Sequence, residues 1–199
     1  VTVNKAPTPN LMLNKTEGCQ PLCLLYNSQT QDDAALITYD FGNGSLMQAD
    51  NFLYCLNEPG EYNLKIQTRG NNGCTGIYTH PAPLIVWPTP HTSLNWSPDP
   101  PTTTQNHVTF EPSSQYPVVK YEWQFPSAGG NNIDGSDLKN PVRVYDNVGK
   151  YPVMLISTTE KGCIDTVFKV IEVRDEFTIF IPNTFTPNND GLNDVFNIK

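Results

Sequence analysis

The sequence predicts an all-β protein built from two antiparallel β-sandwiches in tandem, and three observations predict it. Short runs of alternating apolar and polar residues recur between turn residues. Helix-building residues are scarce: the 199 residues include 18 Pro and 13 Gly, with many Thr, Asn and Ser, and no stretch of useful length carries a helical period. The first half of the chain is also echoed in the second.

The elements can be justified in order. Leu22, Leu24 and Tyr26 alternate onto one face of a strand. Asn43-Gly44, after Phe41, permits a turn with positive φ, and Pro59-Gly60 turns the chain into the strand whose inner face is Tyr62, Leu64 and Ile66. The Pro-rich segments VWPTPHT and SPDPPTTT read as a stiff linker and an edge-protecting first strand of the next unit. There Val108 and Phe110 share one face, as do Tyr151, Val153 and Leu155. Last, Phe177, Ile179 and Ile181 alternate with Thr178 and Phe180, a strand with apolar groups on both faces that needs a cover on each side.

Self-comparison makes the tandem explicit. Tyr39 and Phe41 recur as Trp123 and Phe125, an offset of 84 (123 − 39); Gly60, Tyr62 and Cys74 recur as Gly149, Tyr151 and Cys163, an offset of 89 (163 − 74). The expected domains are therefore 1–90 and 91–174, with 175–199 opening something further.

Composition narrows function. Twelve Lys plus Arg against 20 Asp plus Glu give a net charge of −8 and a pI near 4.7, an acidic surface that repels phosphate and argues against a nucleic-acid partner. Apolar runs such as Leu84 to Trp87 fall far short of the ~20 residues of a membrane span. The chain opens on Val1 with no signal-like pattern behind it, so we expect an internal piece of a longer protein. Five cysteines with scattered histidines (His80, His91, His107) lack zinc spacing and suit disulfides in an oxidising, extracytoplasmic compartment. The second unit has no counterpart of Cys19 and leaves Cys163 single, so the expected bonds are Cys19–Cys74 and Cys23–Cys55, with Cys163 a thiol.

Two resemblances refine this. Asp40-Phe41-Gly42-Asn43-Gly44, then Tyr54, Pro59-Gly60-Glu61-Tyr62 and Gly73-Cys74, with the opening Gly18-Cys19-Gln20-Pro21-Leu22, resemble the PKD (polycystic kidney disease) domain. That resemblance implies an immunoglobulin-like sandwich. The second copy departs from the hallmark, with Trp123-Gln124-Phe125-Pro126 in place of the Gly-rich turn, but fits again from Gly149 to Thr166. The closing FIPNTFTPNNDGLNDVF is similar to the start of the gliding-motility-associated C-terminal domain, the type B sorting domain of Bacteroidetes proteins exported by type IX secretion. It implies that Phe177 to Ile181 is the first strand of a third small β-sandwich, which supplies the missing cover. Together the resemblances imply a non-enzymatic stalk and anchoring region of a large cell-surface adhesin serving gliding or attachment. The implied partners are further PKD repeats and an outer-membrane β-barrel or other component of the secretion or gliding machinery. The alternatives are an accessory region of a secreted hydrolase and a glycan-binding module.

Candidate site residues follow. Asp40, Glu122 and Asp165 lie in no catalytic context, and no nucleophile elbow or phosphate loop occurs; no cofactor is expected beyond calcium. Asn188, Asp190, Asn193 and Asp194 around Gly191 read as a hydrogen-bonded turn, with a calcium loop as the alternative. Trp123 is expected in the core. Trp87 and Trp96 flank the linker, as packing or as a sugar platform. Asp165-Thr166-Val167 matches the Asp-Thr-apolar acceptor of O-glycosylation in Bacteroidetes, which makes Thr166 a candidate. Phe177, Ile179, Ile181 and Phe185 are the candidate docking residues of the sorting segment.

Overall fold

The structure is a computed structural model that describes residues 5–30, 34–49, 51–126 and 133–176. Its strands are β1 (Pro9–Leu13), β2 (Glu17–Cys19), β3 (Leu22–Thr30), β4 (Ala34–Asp40), β5 (Leu46–Met47), β6 (Asn51–Leu56), β7 (Gly60–Tyr62), β8 (Lys65–Gly70), β9 (Thr75–Thr79) and β10 (Leu84–Trp87). They continue with β11 (Thr92–Ser97), β12 (His107–Ser114), β13 (Lys120–Pro126), β14 (Ile133–Ser136), β15 (Val142–Val144), β16 (Gly149–Thr158) and β17 (Ile164–Val173). The described residues contain no helix. The described chain is all-β, in sheets whose pairing is mostly antiparallel, as its alternation predicts.

The described residues form two compact units: one joins those of 5–93 with 113–122 and 155–167, the other joins 94–112 with those of 123–154 and with 168–176. In the first, sheet β1-β3-β6 faces sheet β5-β4-β8-β9, while β10 runs between β2, parallel, and β7, antiparallel. Period 2 decides what is buried. Leu22, Leu24 and Tyr26 of β3 meet Ile37, Tyr39 and Phe41, with Leu64 and Ile66 beside them. Aromatic rings fill the middle: Phe41 stacks on Tyr54 at 3.9 Å, and Tyr26 stacks on Phe52 at 4.9 Å while meeting Tyr39 edge-on. Burial, with Tyr54 and Tyr39 close by, pushes the Tyr26 phenol well above the ordinary tyrosine range.

The second unit packs Phe110, Trp123 and Phe125 together, with Trp123 only 2% exposed and stacked on Phe125 at 5.6 Å. Its indole N–H donates to the Leu138 carbonyl at 2.8 Å. The Arg143 guanidinium lies 4.8 Å from the Phe125 ring centre and bonds Asp134 at 2.7 Å. Tyr145 is pushed up to about 12 by burial, against the opposing pull of Arg143.

The repeat is visible in individual hydrogen bonds. Tyr62 donates its hydroxyl to the Glu58 carbonyl at 2.8 Å, and Tyr151, 89 residues on, donates to Asn147 at 2.9 Å. Each ring lies back over the glycine two residues before it, where a Cβ would meet the ring at 3.7 Å (Gly60) or 3.3 Å (Gly149). The hairpin turns match as well. The Gly70 amide donates to Cys74 at 2.8 Å as Thr159 does to Cys163 at 2.9 Å, and Gly73 and Gly162 close them at φ 81° and 78°. Tyr151→Phe and Tyr62→Phe are each expected to cost about 1 kcal/mol, the net worth of one such hydrogen bond, read as a lower urea midpoint with an unchanged slope.

Candidate functional site

The most elaborated place in the first unit is where β2 meets β10. Parallel pairing sets Cys19 opposite Trp87, and the Gln20 amide donates to the Trp87 carbonyl at 2.9 Å. Cys19 is bonded to Cys163, with 5.4 Å between the Cα atoms, a normal span. Cys163 sits in the β16–β17 turn, fully buried, its sulfur 3.8 Å from the Trp87 carbonyl oxygen. The expected Cys19–Cys74 bond is thus corrected: the partner of Cys19 is Cys163, and Cys74 keeps its thiol. The reason is reach. The Cys74 turn packs beside Ala6 and Pro7, where β1 begins, whereas Cys19 follows the far end of that strand, five residues or about 17 Å away. Cys23 is bonded to Cys55, directly opposite across β3 and β6.

Several polar groups around the Cys19–Cys163 bond are hydrogen-bonded to one another. The Asp165 carboxylate accepts the Thr92 amide at 2.6 Å, the Thr92 and Ser157 hydroxyls meet at 2.6 Å, and the Asp165 carbonyl lies 3.5 Å from the Ser157 hydroxyl. Trp87 is half-buried; its indole donates to Glu17 at 3.3 Å, and the Lys161 ammonium lies 4.6 Å from its ring centre. The Pro90 carbonyl accepts the amides of Gln115 and Tyr116. Between them His91 takes φ +48°, the one non-glycine residue with positive φ among those described, its ring near Tyr116 and Thr89. That conformation costs an L-residue roughly 1–2 kcal/mol and is worse for a β-branched one. His91→Val is therefore expected to destabilise and His91→Gly to be near neutral, compared by thermal melts.

Asp40 accepts the Gly42 amide, Glu122 pairs with Lys120 at 3.0 Å and Asp165 is engaged as above, so the three acids sit apart in separate structural tasks. Among the described residues no three His, Cys, Asp or Glu side chains gather as a metal site. Trp96 is half-buried in β11, and its indole N–H meets no acceptor among the described residues. Thr166 is exposed, its amide held by the Asp165 carboxylate. Phe177, Ile179, Ile181, Phe185, Asn188, Asp190, Asn193 and Asp194 lie outside the described residues. Sequence reasoning missed the grip of Asp165 on Thr92 and of Lys161 on Trp87. The available signal was that Trp87 and Thr92 flank a Pro-rich linker and Lys161 and Asp165 flank a cysteine.

No protein-family model and no curated protein matches the chain. Among solved structures it is similar to a carbohydrate-binding module of the beta-sandwich superfamily described for promiscuous specificity, at 11% identity over 86% of each chain and a TM-score of 0.40. It is also similar to fibronectin(III)-like modules of Clostridium thermocellum CbhA, at 11% identity over 83% of this chain and 95% of that one, TM-score 0.38. A 1.5-MDa bacterial ice-binding adhesin matches at 9% identity over 87% of this chain and 66% of that one, TM-score 0.37.

Proposed function

We propose that the chain is a non-enzymatic stalk and anchoring region of a large cell-surface adhesin, divided as 1–90, 91–174 and 175–199, with PKD-like modules leading into a type B sorting domain. The observation that supports it best is the repeat at the level of single hydrogen bonds, Tyr62 to Glu58 and Tyr151 to Asn147. A chain that builds the same module twice gains reach, and its best-matched polar groups serve cohesion. Two disulfides fit an extracellular setting. The sorting role rests on the residues from Ile181 to Asp194. Its partner in this reading is an outer-membrane β-barrel of the type IX secretion or gliding machinery, and Asn188, Asp190 and Asp194 would take calcium. The experiment is deletion of Ile181 to Asp194 from the full-length protein in its own cells. Loss of surface delivery is expected; undiminished delivery would remove the sorting reading and leave the tandem stalk.

A further inference from the structure

The outer face of the β5-β4-β8-β9 sheet, all within the first unit, carries a trough that none of the above uses. Strand register crosses it in rows. Asp40 lies between Leu46 and Lys65. Gln67 lies between Thr38 and Ile77, and Gln48 donates to the Thr38 hydroxyl at 3.3 Å. Arg69 lies between Leu36 and Thr75. Two hollows of about 170 and 340 Å³ open along these rows and share Thr38, Leu46 and Gln67, so they form one continuous depression.

In a protein of net charge −8, this depression has a cation at each end, Lys65 and Arg69, both exposed and in no ion pair among the described residues. Four residue steps along the strand separate them, about 13 Å. The single carboxylate here, Asp40, already accepts the Gly42 amide at 2.9 Å. Between the cations lie amides and hydroxyls, and Leu36, Leu46 and Ile77 stand 42%, 68% and 74% exposed along the sides.

We propose that this trough binds an anionic polysaccharide. Carboxylate or sulfate groups along such a polymer would meet Lys65 and Arg69. Ring hydroxyls would exchange hydrogen bonds with Gln48, Gln67 and Thr38, and the C–H faces of the sugars would cover the exposed aliphatic side chains. An acidic peptide fits less well, because extended peptides draw affinity from main-chain bonds to a sheet edge. Here the floor is made of side chains, and the backbone beneath is paired within the sheet. One hollow lies below and the other at the small end of ligand-site volumes, about 300 to 1,000 Å³, so each copy binds weakly and a multivalent surface gains by avidity. Binding would belong to residues 36–77 and does not depend on the export reading.

The test is affinity electrophoresis of the whole 199-residue chain through gels containing polygalacturonate, neutral dextran or poly-L-glutamate. Retardation by polygalacturonate alone is expected. It should weaken at least about tenfold in Lys65→Gln/Arg69→Gln and on raising salt from about 50 to about 500 mM, and be unchanged in Lys139→Gln/Lys150→Gln. All four side chains are exposed, so thermal melts should superimpose. No retardation by polygalacturonate, or the same retardation in the trough variant as in the wild type, overturns the proposal. Equal retardation by poly-L-glutamate also overturns it and assigns the face to acidic peptides.

Discussion

Replacing Cys163 with serine is expected to destabilise the chain more than the loss of any other cysteine. The bond it makes closes 144 residues of chain, and the chain-entropy relation for a loop of that length gives about 5 kcal/mol of restraint on the unfolded state. The Cys23–Cys55 bond closes 32 residues, for which the same relation gives about 4 kcal/mol. Cys163 is also fully buried, so serine there brings a hydroxyl into a packed site. Cys19→Ser separates the two effects, because it breaks the same bond from a half-buried position. Both variants should lose more than about 10 °C of melting temperature, given roughly 2–4 °C per kcal/mol for a chain of this size. Melts of Cys19→Ser within a degree or two of the wild type would mean that the bond restrains little.

The second large effect is expected at Trp123. Truncation to alanine removes a ring that stacks on Phe125 and touches Phe110 and leaves the Leu138 carbonyl without its donor. Buried aromatic-to-alanine changes cost about 3–5 kcal/mol. Trp123→Phe keeps most of the packing and loses the hydrogen bond, so about 1–3 kcal/mol is expected. Equilibrium urea unfolding would order the two. If alanine and phenylalanine behaved alike, the hydrogen bond rather than the ring would be the dominant contribution.

Much of the fold could be read from the sequence because its signals are local. Leu22, Leu24 and Tyr26 alternate, and a strand has no other way to bury them. Gly60 and Tyr62 recur as Gly149 and Tyr151, and in both places the tyrosine ring lies back over the glycine two residues before it. The pairing of Cys19 could not be read in that way. It follows from β2 joining β10 in parallel, a contact between segments some 70 residues apart that leaves no periodic trace in either. The repeat itself misled, since it suggested closing the first copy on its own cysteines and leaving Cys163 single. The trough escaped notice for a related reason: Lys65, Gln67 and Arg69 alternate as any solvent face does, and only the register of four strands shows that their neighbours complete a hollow.

The Cys19–Cys163 bond also has a consequence for pulling. Tension that enters before Cys19 and leaves after Cys163 has a covalent shortcut through the two sulfurs, so the chain between them, a separation of 144 residues, is out of the line of force. At about 3.5 Å per extended residue, roughly 500 Å of slack is locked away. With the bond intact, single-molecule stretching should yield no lengthening from those residues. After reduction the same pull should release that slack, and the chain would change from a nearly inextensible strap into a long shock absorber.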